Sequence, residues 1–365
     1  MAVAVVGSGL AGFTAYQALR RGGLAPGEIA VFGTDDDPAG AFRRHAAAIR
    51  QRRMRSESDG HCLPATFPGL AVRSALRRRS PGPLVASVLD RYHPTLEEFL
   101  AHVERVRERS GWERSLQGVR IERVRAVEGG FELDRHGRFR HVLLTPGQPG
   151  LNMPEELRGD PRAVHAYEPH EYRSTVTVVG AGLAAATEWL NALEAGAEVV
   201  SVRRREPLRR VLNVPREYFS RRGLGSYHRL SADERAARLR ALLAPSYPPG
   251  ADWDEPLARA AAAGRFRVEE SLNGSEQVIC ATGFRRGFRH DPLLARLVDD
   301  HGLETFEGWV SAGADGSVPA LTDTTRTLAL GGAPAQWAFP AADTLAGARY
   351  VGHGFLRRIK ACRIR

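Results

Sequence analysis

Two short turns carry residues whose types and spacing have a definite chemical use: Gly7, Gly9 and Gly12 in one, Gly180, Gly182 and Ala185 in the other. In a Gly-x-Gly-x-x-Gly turn the first glycine permits a tight reversal and the second lets a pyrophosphate approach the backbone. The third small residue lets the strand and the following helix pack closely. The helix that opens there adds free N–H groups and the positive end of its dipole. The chemistry is capture of a pyrophosphate, and its appearance twice in one chain predicts two dinucleotide sites.

Such a turn carries weight only between a buried strand and a helix. Ala2–Val6 is apolar and β-branched, as in a strand buried on both faces, and Phe13–Arg21 continues with helical spacing. A second apolar strand, Glu28–Phe32, follows. Gly33 stands at its end, where a ribose-binding acid is expected roughly 20 residues after the turn. Asp35, Asp36 and Asp37 come next, so either Asp35 reaches the ribose from a displaced position or that contact is lost. The second turn follows Val176–Val179, opens the helix Ala184–Glu194 and leads to the strand Glu198–Val202, which ends in Arg203, Arg204 and Arg205. Guanidinium groups pair bidentately with phosphate, so this end suits the 2′-phosphate of NADP. As a solvated basic turn it would need no ligand.

The chain has 365 residues, enough for two packed domains, and its 43% hydrophobic and 26% charged content is that of a soluble enzyme. The net charge of +10 is almost all arginine, since Lys360 is the only lysine. That substitution reads as compositional bias, and with aromatics at 7% a nucleic-acid partner is not expected. Cys62, Cys280 and Cys362 lie far apart, which argues against a disulfide framework, a zinc knuckle, a redox dithiol or any metal site. No apolar run approaches the roughly 18–20 residues of a membrane span, so no membrane partner is expected. The apolar start has no basic region before it and is a strand, which points to the cytoplasm.

Between the turns, "HPTLEEFLAHVERVRER" (93–109) predicts a helix with Thr95 and Glu98 as a capping box. Val119–Val127 and Gly130–Leu133 alternate like an antiparallel ribbon, and Phe139–Leu144 is another apolar strand. Residues 151–174 read as a linker, and 213–228 as a basic, loop-rich insertion. A helix over Ser231–Leu243 and a strand over Gln277–Ala281 follow.

Further stretches are "GAFRRHAAAIRQRRMRSESDGHCLPATFPG" (40–69), "HPTLEEFLAHVERV", "LLTPGQPG", "CATGF" and the closing "LGG…PAADTLAG". With the two turns they make the chain resemble, over nearly its whole length, flavoproteins with two dinucleotide-binding domains. The likeness is greatest to the flavin-dependent monooxygenases: the flavin-containing, N-hydroxylating and Baeyer–Villiger enzymes. Gly40 and Phe42 stand for that group's Gly-Gly-x-Trp, and Leu63, Pro64, Phe67 and Pro68 for its Leu-Pro…Phe-Pro. Gly147 and Gly283 stand in its two chain crossings, and Gly332 and Asp343 in the segment over the flavin pyrophosphate and ring. The chain departs from the pattern in three places. "TPG" replaces Ala-Thr-Gly, Gly332 replaces an Asp found in related reductases, and His165 comes two residues late after Gly159.

The resemblance implies an α/β fold of two Rossmann-like FAD/NAD(P)-binding domains, three-layer β/β/α in type. The NADPH domain (156–290) would be inserted in a discontinuous FAD domain (1–155 and 291–365). FAD would be held by Gly7, Gly9, Gly12, Asp35, Gly40, Gly147, Gly332 and Asp343. NADPH would be held by Gly180, Gly182, Ala185, Arg203, Arg204 and Gly283. The reaction would be flavin-borne. One O2-derived oxygen would enter a small organic substrate through a C4a-hydroperoxide, with little acid/base work asked of side chains. Arg55, Ser56, Asp59 and His61 are candidates for the flavin face, and His165 and Tyr167 for the nicotinamide pocket. Trp337 and Phe339 are candidates for a substrate wall, and Arg216, Arg221 and Arg222 for a lid or an acidic substrate. Each also has an ordinary structural reading: exposed loop, backbone-bonded histidine, core aromatics, solvated arginines. Two rivals stay open, an NADPH:acceptor (quinone or small-disulfide) flavin reductase without redox cysteines and a non-catalytic nucleotide-binding relative that has lost flavin. Small-molecule substrate and O2 are the expected partners, and a homodimer is left open.

Overall fold

The structure is a computed structural model that describes residues 3–54, 69–89, 92–219, 221–272 and 274–363. The chain opens with β1 (Val3–Val6), buried at every position, as a strand flanked on both faces must be. The first glycine turn leads to α1 (Leu10–Arg21) and then to β2 (Ile29–Phe32). Helices α2 (Gly40–Ala48), α3 (Leu70–Arg78), α4 (Gly82–Val88) and α5 (Leu96–Ser110) follow. The α5 capping box is formed, with Thr95 Oγ1 accepting from the Glu98 amide at 3.1 Å and the Glu98 carboxylate accepting from the Thr95 amide at 3.3 Å. The helix ends at Gly111 in the left-handed conformation, and α6 (Trp112–Ser115) and β3 (Leu116–Gln117) come next.

The ribbon then forms, later than the alternation predicts. Residues 118–123 are irregular, and β4 (Val124–Val127) pairs antiparallel with β5 (Gly130–Leu133), which pairs with β6 (Arg138–Phe139). The run 139–144 is not one strand. Exposed Arg140 interrupts it, so Phe139 ends the antiparallel sheet while β7 (His141–Leu144) enters a parallel one.

The stretch 151–174 is more than a linker: β8 (Ala163–His165) pairs in parallel with a strand more than a hundred residues on. β9 (Thr175–Val179), α7 (Leu183–Glu194) and β10 (Glu198–Val202) follow. The next stretch holds β11 (Leu208–Arg209), a 3-10 turn (Arg216–Phe219), α8 (Arg221–His228), α9 (Ala232–Leu242) and β12 (Ser246–Tyr247). The insertion expected to be loop-rich is therefore largely helical. α10 (Ala251–Ala262), β13 (Phe266–Glu269) and β14 (Gln277–Cys280) complete this unit. α11 (Pro292–His301), the hairpin of β15 (Thr305–Phe306) and β16 (Trp309–Val310), β17 (Thr327–Leu330) and α12 (Leu345–Arg363) close the chain.

Two parallel five-stranded sheets result, ordered β17-β7-β1-β2-β3 and β13-β10-β9-β14-β8. In each, the strand before the glycine turn lies at the point where the chain changes direction across the sheet. That is where doubly wound folds leave a crevice at the strand ends. The antiparallel sheet β4-β5-β6 packs on the first parallel sheet, with Phe139 edge-on to Phe32 at 5.6 Å. α1 and α12 add a helical layer, so close that a Cβ on Gly352 would lie 2.9 Å from Ala15 Cα. This is the expected β/β/α layering.

The two units are joined by backbone and by side chains. The crossing segments pair through the Leu151–Phe284 bridge, the Asn152 amide donates to Gly283 O at 2.9 Å, and the Arg285 amide donates to Gly150 O at 2.9 Å. Ile49, just after α2, is 4% exposed and packs in the second unit's core, where Asn191 Nδ2 donates to its carbonyl at 2.7 Å. Beside it Arg50 lies 4.9 Å over the Tyr172 ring and pairs with Glu171.

Beneath this joint is a buried pair. His170 Nε2 donates to Glu188 at 3.0 Å, His170 Nδ1 donates to Glu168 O at 2.7 Å, and Tyr172 Oη donates to Glu188 at 2.9 Å. Two donating nitrogens require imidazolium. Burial pulls the His170 value down, but the Glu188 carboxylate outweighs it and the value rises above normal. The pair's contribution is therefore complete below the unfolded value of about 6.5 and is lost as pH rises through the higher folded value. Glu188→Gln should cost about 3 kcal/mol at pH 6. Urea midpoints taken across pH should show the gap between wild type and variant narrowing toward pH 9; a gap that widens contradicts the assignment.

Candidate functional site

The first turn is held by its contacts with Thr145, at the end of β7. Gly7 has φ +120°, and a Cβ there would lie 1.9 Å from Thr145 O. A Cβ on Gly12 would lie 2.0 Å from Gly7 O and 2.9 Å from Thr145 Oγ1. Both positions exclude any side chain. The Thr145 amide donates to Val6 O at 2.7 Å, and its hydroxyl lies 3.1 Å from Val6 O and 3.2 Å from Gly7 O. Gly9, by contrast, faces open space. Gly332, at φ +68°, lies against this helix start, its Cβ direction pointing 3.1 Å from Ala11. An Asp there would be both strained and crowded.

The acid missing from the end of β2 has a steric cause. A Cβ on Gly33 would lie 2.2 Å from Ser8 Oγ and 2.8 Å from the Ser8 amide. Ser8, inside the glycine turn and 5% exposed, fills that space. Of the three aspartates that follow, Asp37 accepts from the Ala39 amide at 2.8 Å, at the start of α2, and pairs with Arg43. Asp35 lies over Gly40, its carboxylate 2.7 Å from where a Cβ would stand, and pairs with exposed Arg44 at 3.3 Å. Asp36 accepts from the Asp37 amide at 2.9 Å, and Asp35 is the acid that lies over Gly40, which leaves it room.

The second turn repeats the plan with one methyl added. Gly180 has φ +139° and would place a Cβ 2.4 Å from Ala281 O, while Gly182 faces open space. Ala185 is fully buried. At the end of β10, Arg203 lies 5.7 Å over the Trp189 ring and pairs with Glu206 at 2.8 Å. Arg204 is 92% exposed with only a 3.7 Å contact to Glu156. The packed arginine is fixed and the second is free to pair with an anion.

Gly147 (φ +88°) and Gly283 (φ +73°) both face open space. They line a cavity of about 160 Å³ together with Arg286, Trp309, Gln336 and Asp343. Asp343 and Arg286 are both exposed to solvent and stand at the rim of this cavity. Desolvation by the surrounding protein raises the Asp343 carboxyl against the pull of Arg286 and lowers Arg286. A separate cleft of about 1030 Å³ runs from Leu183, beside Gly182, between the Ile49–Met54 segment, α7 and α10.

Several candidates take structural places. His165 is 1% exposed; its Nδ1 accepts from the Tyr167 amide at 3.1 Å and its Nε2 donates to Gly283 O at 3.0 Å. With both nitrogens committed and burial lowering its value, it is a neutral brace for the second crossing and not a proton carrier. Tyr167 stacks on Phe284 at 5.0 Å, and burial pushes its phenol up to about 12. Trp337 and Phe339, at 1% and 2% exposure, stack on Phe306 and Tyr350 as core residues. The insertion is fastened, not a free lid: Tyr227 Oη donates to Trp337 O at 3.2 Å and His228 Nε2 to Ala338 O at 2.6 Å. Arg216 donates to Val88 O at 3.1 Å, and Arg222 is exposed. Arg55, Ser56, Asp59 and His61 lie outside the described residues, and nothing is described of the Arg221 side chain. Among the described residues no group of His, Cys, Asp and Glu could hold a metal. The Cys280 thiol is buried and pushed up to about 12, so it is no redox nucleophile. Sequence reasoning missed Thr145, Ser8 and Arg286. The threonine closing an apolar strand just before Pro-Gly was the one available signal.

No protein-family profile and no curated protein sequence matches the chain. Solved structures do. The ornithine hydroxylase of Pseudomonas aeruginosa superimposes with a TM-score of 0.68 at 17% identity, over 98% of this chain and 99% of that one. The ornithine N-hydroxylase of Kutzneria, solved with reduced FAD, NADP+ and L-ornithine, gives 0.69 at 16% identity over 98% of each. The bacillithiol disulfide reductase of Bacillus cereus gives 0.60 at 13% identity, over 100% of this chain and 99% of that one. The fold is therefore that of two-domain FAD/NAD(P) flavoproteins.

The glycines separate fold from binding. Gly12→Ala should unfold the first turn, lowering stability by about 3 kcal/mol, because its methyl meets backbone. Gly9→Ala should keep stability within about 1 kcal/mol of wild type, with a nearly unchanged thermal midpoint, yet lose retained dinucleotide. Equal midpoints for the two variants would contradict this geometry.

Proposed function

We propose that the chain is an FAD- and NADPH-dependent oxidoreductase, most simply a monooxygenase that transfers one oxygen atom of O2 to a small organic substrate. One observation carries this reading. Two turns, each with an excluded first glycine and an open second glycine, stand at the switch points of two parallel sheets bound to one another by their crossing segments. The first would hold FAD and the second NADPH, with 1–155 and 291–365 forming the FAD domain and 156–290 the NADPH domain. The structures it resembles include hydroxylases of ornithine, which supports a small substrate with a nucleophilic amine.

The residues fit such cofactors. The open faces of Gly9 and Gly182, each at a helix start, would take the pyrophosphates. Asp35 would receive the FAD ribose in place of an acid at position 33, and Arg204 the 2′-phosphate of NADPH. Gly147, Gly283, Gly332, Gly40 and Asp343 border the path between the two. When bound, flavin and NADPH supply the hydride and the activation of O2. The protein's part is to hold the two rings, exclude water and orient the substrate. The cavity at the crossing segments, with Asp343 and Arg286 in its lining, would give a substrate polar anchorage.

Purified protein should show flavin absorbance and consume NADPH only with O2 and substrate present. Consumption that persists without O2 when a quinone or disulfide is added would favour the reductase, and a colourless protein would favour a non-catalytic relative. Arg204→Ala should weaken NADPH binding by about 2 kcal/mol, roughly 30-fold in Kd by titration, and leave NADH unchanged. An equal loss for both nucleotides would remove Arg204 from the 2′-phosphate site.

A further inference from the structure

The hairpin of α3 and α4 is built inside out. α4 buries Pro83 and Ser87 and exposes Val85, Val88 and Leu89, which at i, i+3 and i+4 lie on one face. These three are 55–56% exposed, and Leu76 on α3 is 75% exposed. They are four of the seven large apolar side chains exposed among the described residues. A contiguous stretch of this kind marks an interaction surface, where scattered exposed leucines would not.

The same hairpin carries exposed cations. Arg78 and Arg79 are exposed and form no ion pair among the described residues, beside Arg77 in a run of three arginines. Arg79 caps α3 in the left-handed conformation at φ +49°, where glycine would cost less. Behind them, between α3 and α5, a groove of about 580 Å³ is lined by Arg73, Arg77 and Arg105 and also by Glu97 and Glu98. Arg77 is paired with Glu98 and Arg73 lies 3.4 Å from His102, but the buried Nε of Arg105 has no partner. Bare aliphatic side chains beside exposed Arg78 and Arg79 fit an amphipathic, anionic surface.

We propose that the α3–α4 hairpin docks the protein on an anionic lipid bilayer. The aliphatic face would enter the headgroup boundary, Arg78 and Arg79 would lie at the phosphate level, and the arginine groove would receive a headgroup. A second copy of the chain is disfavoured, because a two-fold contact would set each arginine run against its twin. The expectation of no membrane partner came from the absence of a span, and a surface contact needs none. No helix of the described residues is long and apolar enough to cross a membrane.

The test is co-sedimentation of the full chain with phosphatidylcholine vesicles, with and without phosphatidylserine. Wild type should partition to the anionic vesicles and not to the neutral ones, and salt should weaken the binding. Arg78→Ala with Arg79→Gly should lower partition about 25-fold, at roughly fivefold per arginine. Val85→Ser with Val88→Ser should lower it at least tenfold at unchanged salt dependence, since each buried CH₂ contributes severalfold. All four positions are exposed, and glycine at 79 relieves strain, so unaltered thermal midpoints should accompany both losses. Equal sedimentation with neutral and anionic vesicles, or none with either, overturns the proposal. So does a serine variant that binds as wild type, which would mean charge attraction without insertion and an acidic protein as the better occupant.

Discussion

The first glycine turn is possible because two stretches of backbone touch. Gly7 and Gly12 have no room for a side chain, since Thr145 lies against one and Gly7 itself against the other. That contact sets the distance between β1, α1 and β7, and with it the position of the open face at Gly9. The same arrangement recurs where Gly180 meets Ala281. In both units the strand before the turn is thus locked to the strand that ends in a crossing segment. The crossings in turn pair with each other through Leu151 and Phe284. The spacing of the two open faces follows from a chain of backbone contacts that no side chain can adjust, so the exclusion at the first glycine governs the whole candidate site.

Much of this was legible in the residues. Buried parallel strands read as unbroken apolar runs, and β1, β2, β9 and β10 were found within a residue of their bounds because their signal is local. The capping box at Thr95 and the cap at Ser231 likewise need only a few neighbouring residues. Other features depend on contacts distant in sequence. β8 is a strand because β14 pairs with it, and nothing within 163–165 announces that. The run 139–144 divides because two sheets claim its two ends. Gly33 looked like a defect in a binding motif until Ser8 was seen to occupy the space. Histidine and aromatic residues were the least legible class: His165, Trp337 and Phe339 have types that suit a site, and only burial and committed hydrogen bonds show them to be structural.

Charge is distributed with a similar division of labour. Many exposed arginines in this chain have a nearby carboxylate, and such pairs contribute little stability each. Their effect is to neutralise a heavy positive burden locally. Others have no such partner among the described residues, Arg78 and Arg79 on α3 among them, and Arg204 at the end of β10 has only a 3.7 Å contact to Glu156. The interior pair of His170 and Glu188 differs in kind. It orders the loop that carries Arg50's partners, where the two units meet.

Ile49 has a consequence for how such a protein can be taken apart. Its side chain belongs by sequence to one unit and by packing to the hydrophobic interior of the other. Excising the stretch from β8 to β14 as a free-standing module would leave an unfilled socket beside α7 and strip Asn191 of its acceptor. Recombining halves from distant relatives would meet the same obstacle unless the peg travelled with its hole. Modularity at the level of topology is therefore not separability at the level of packing.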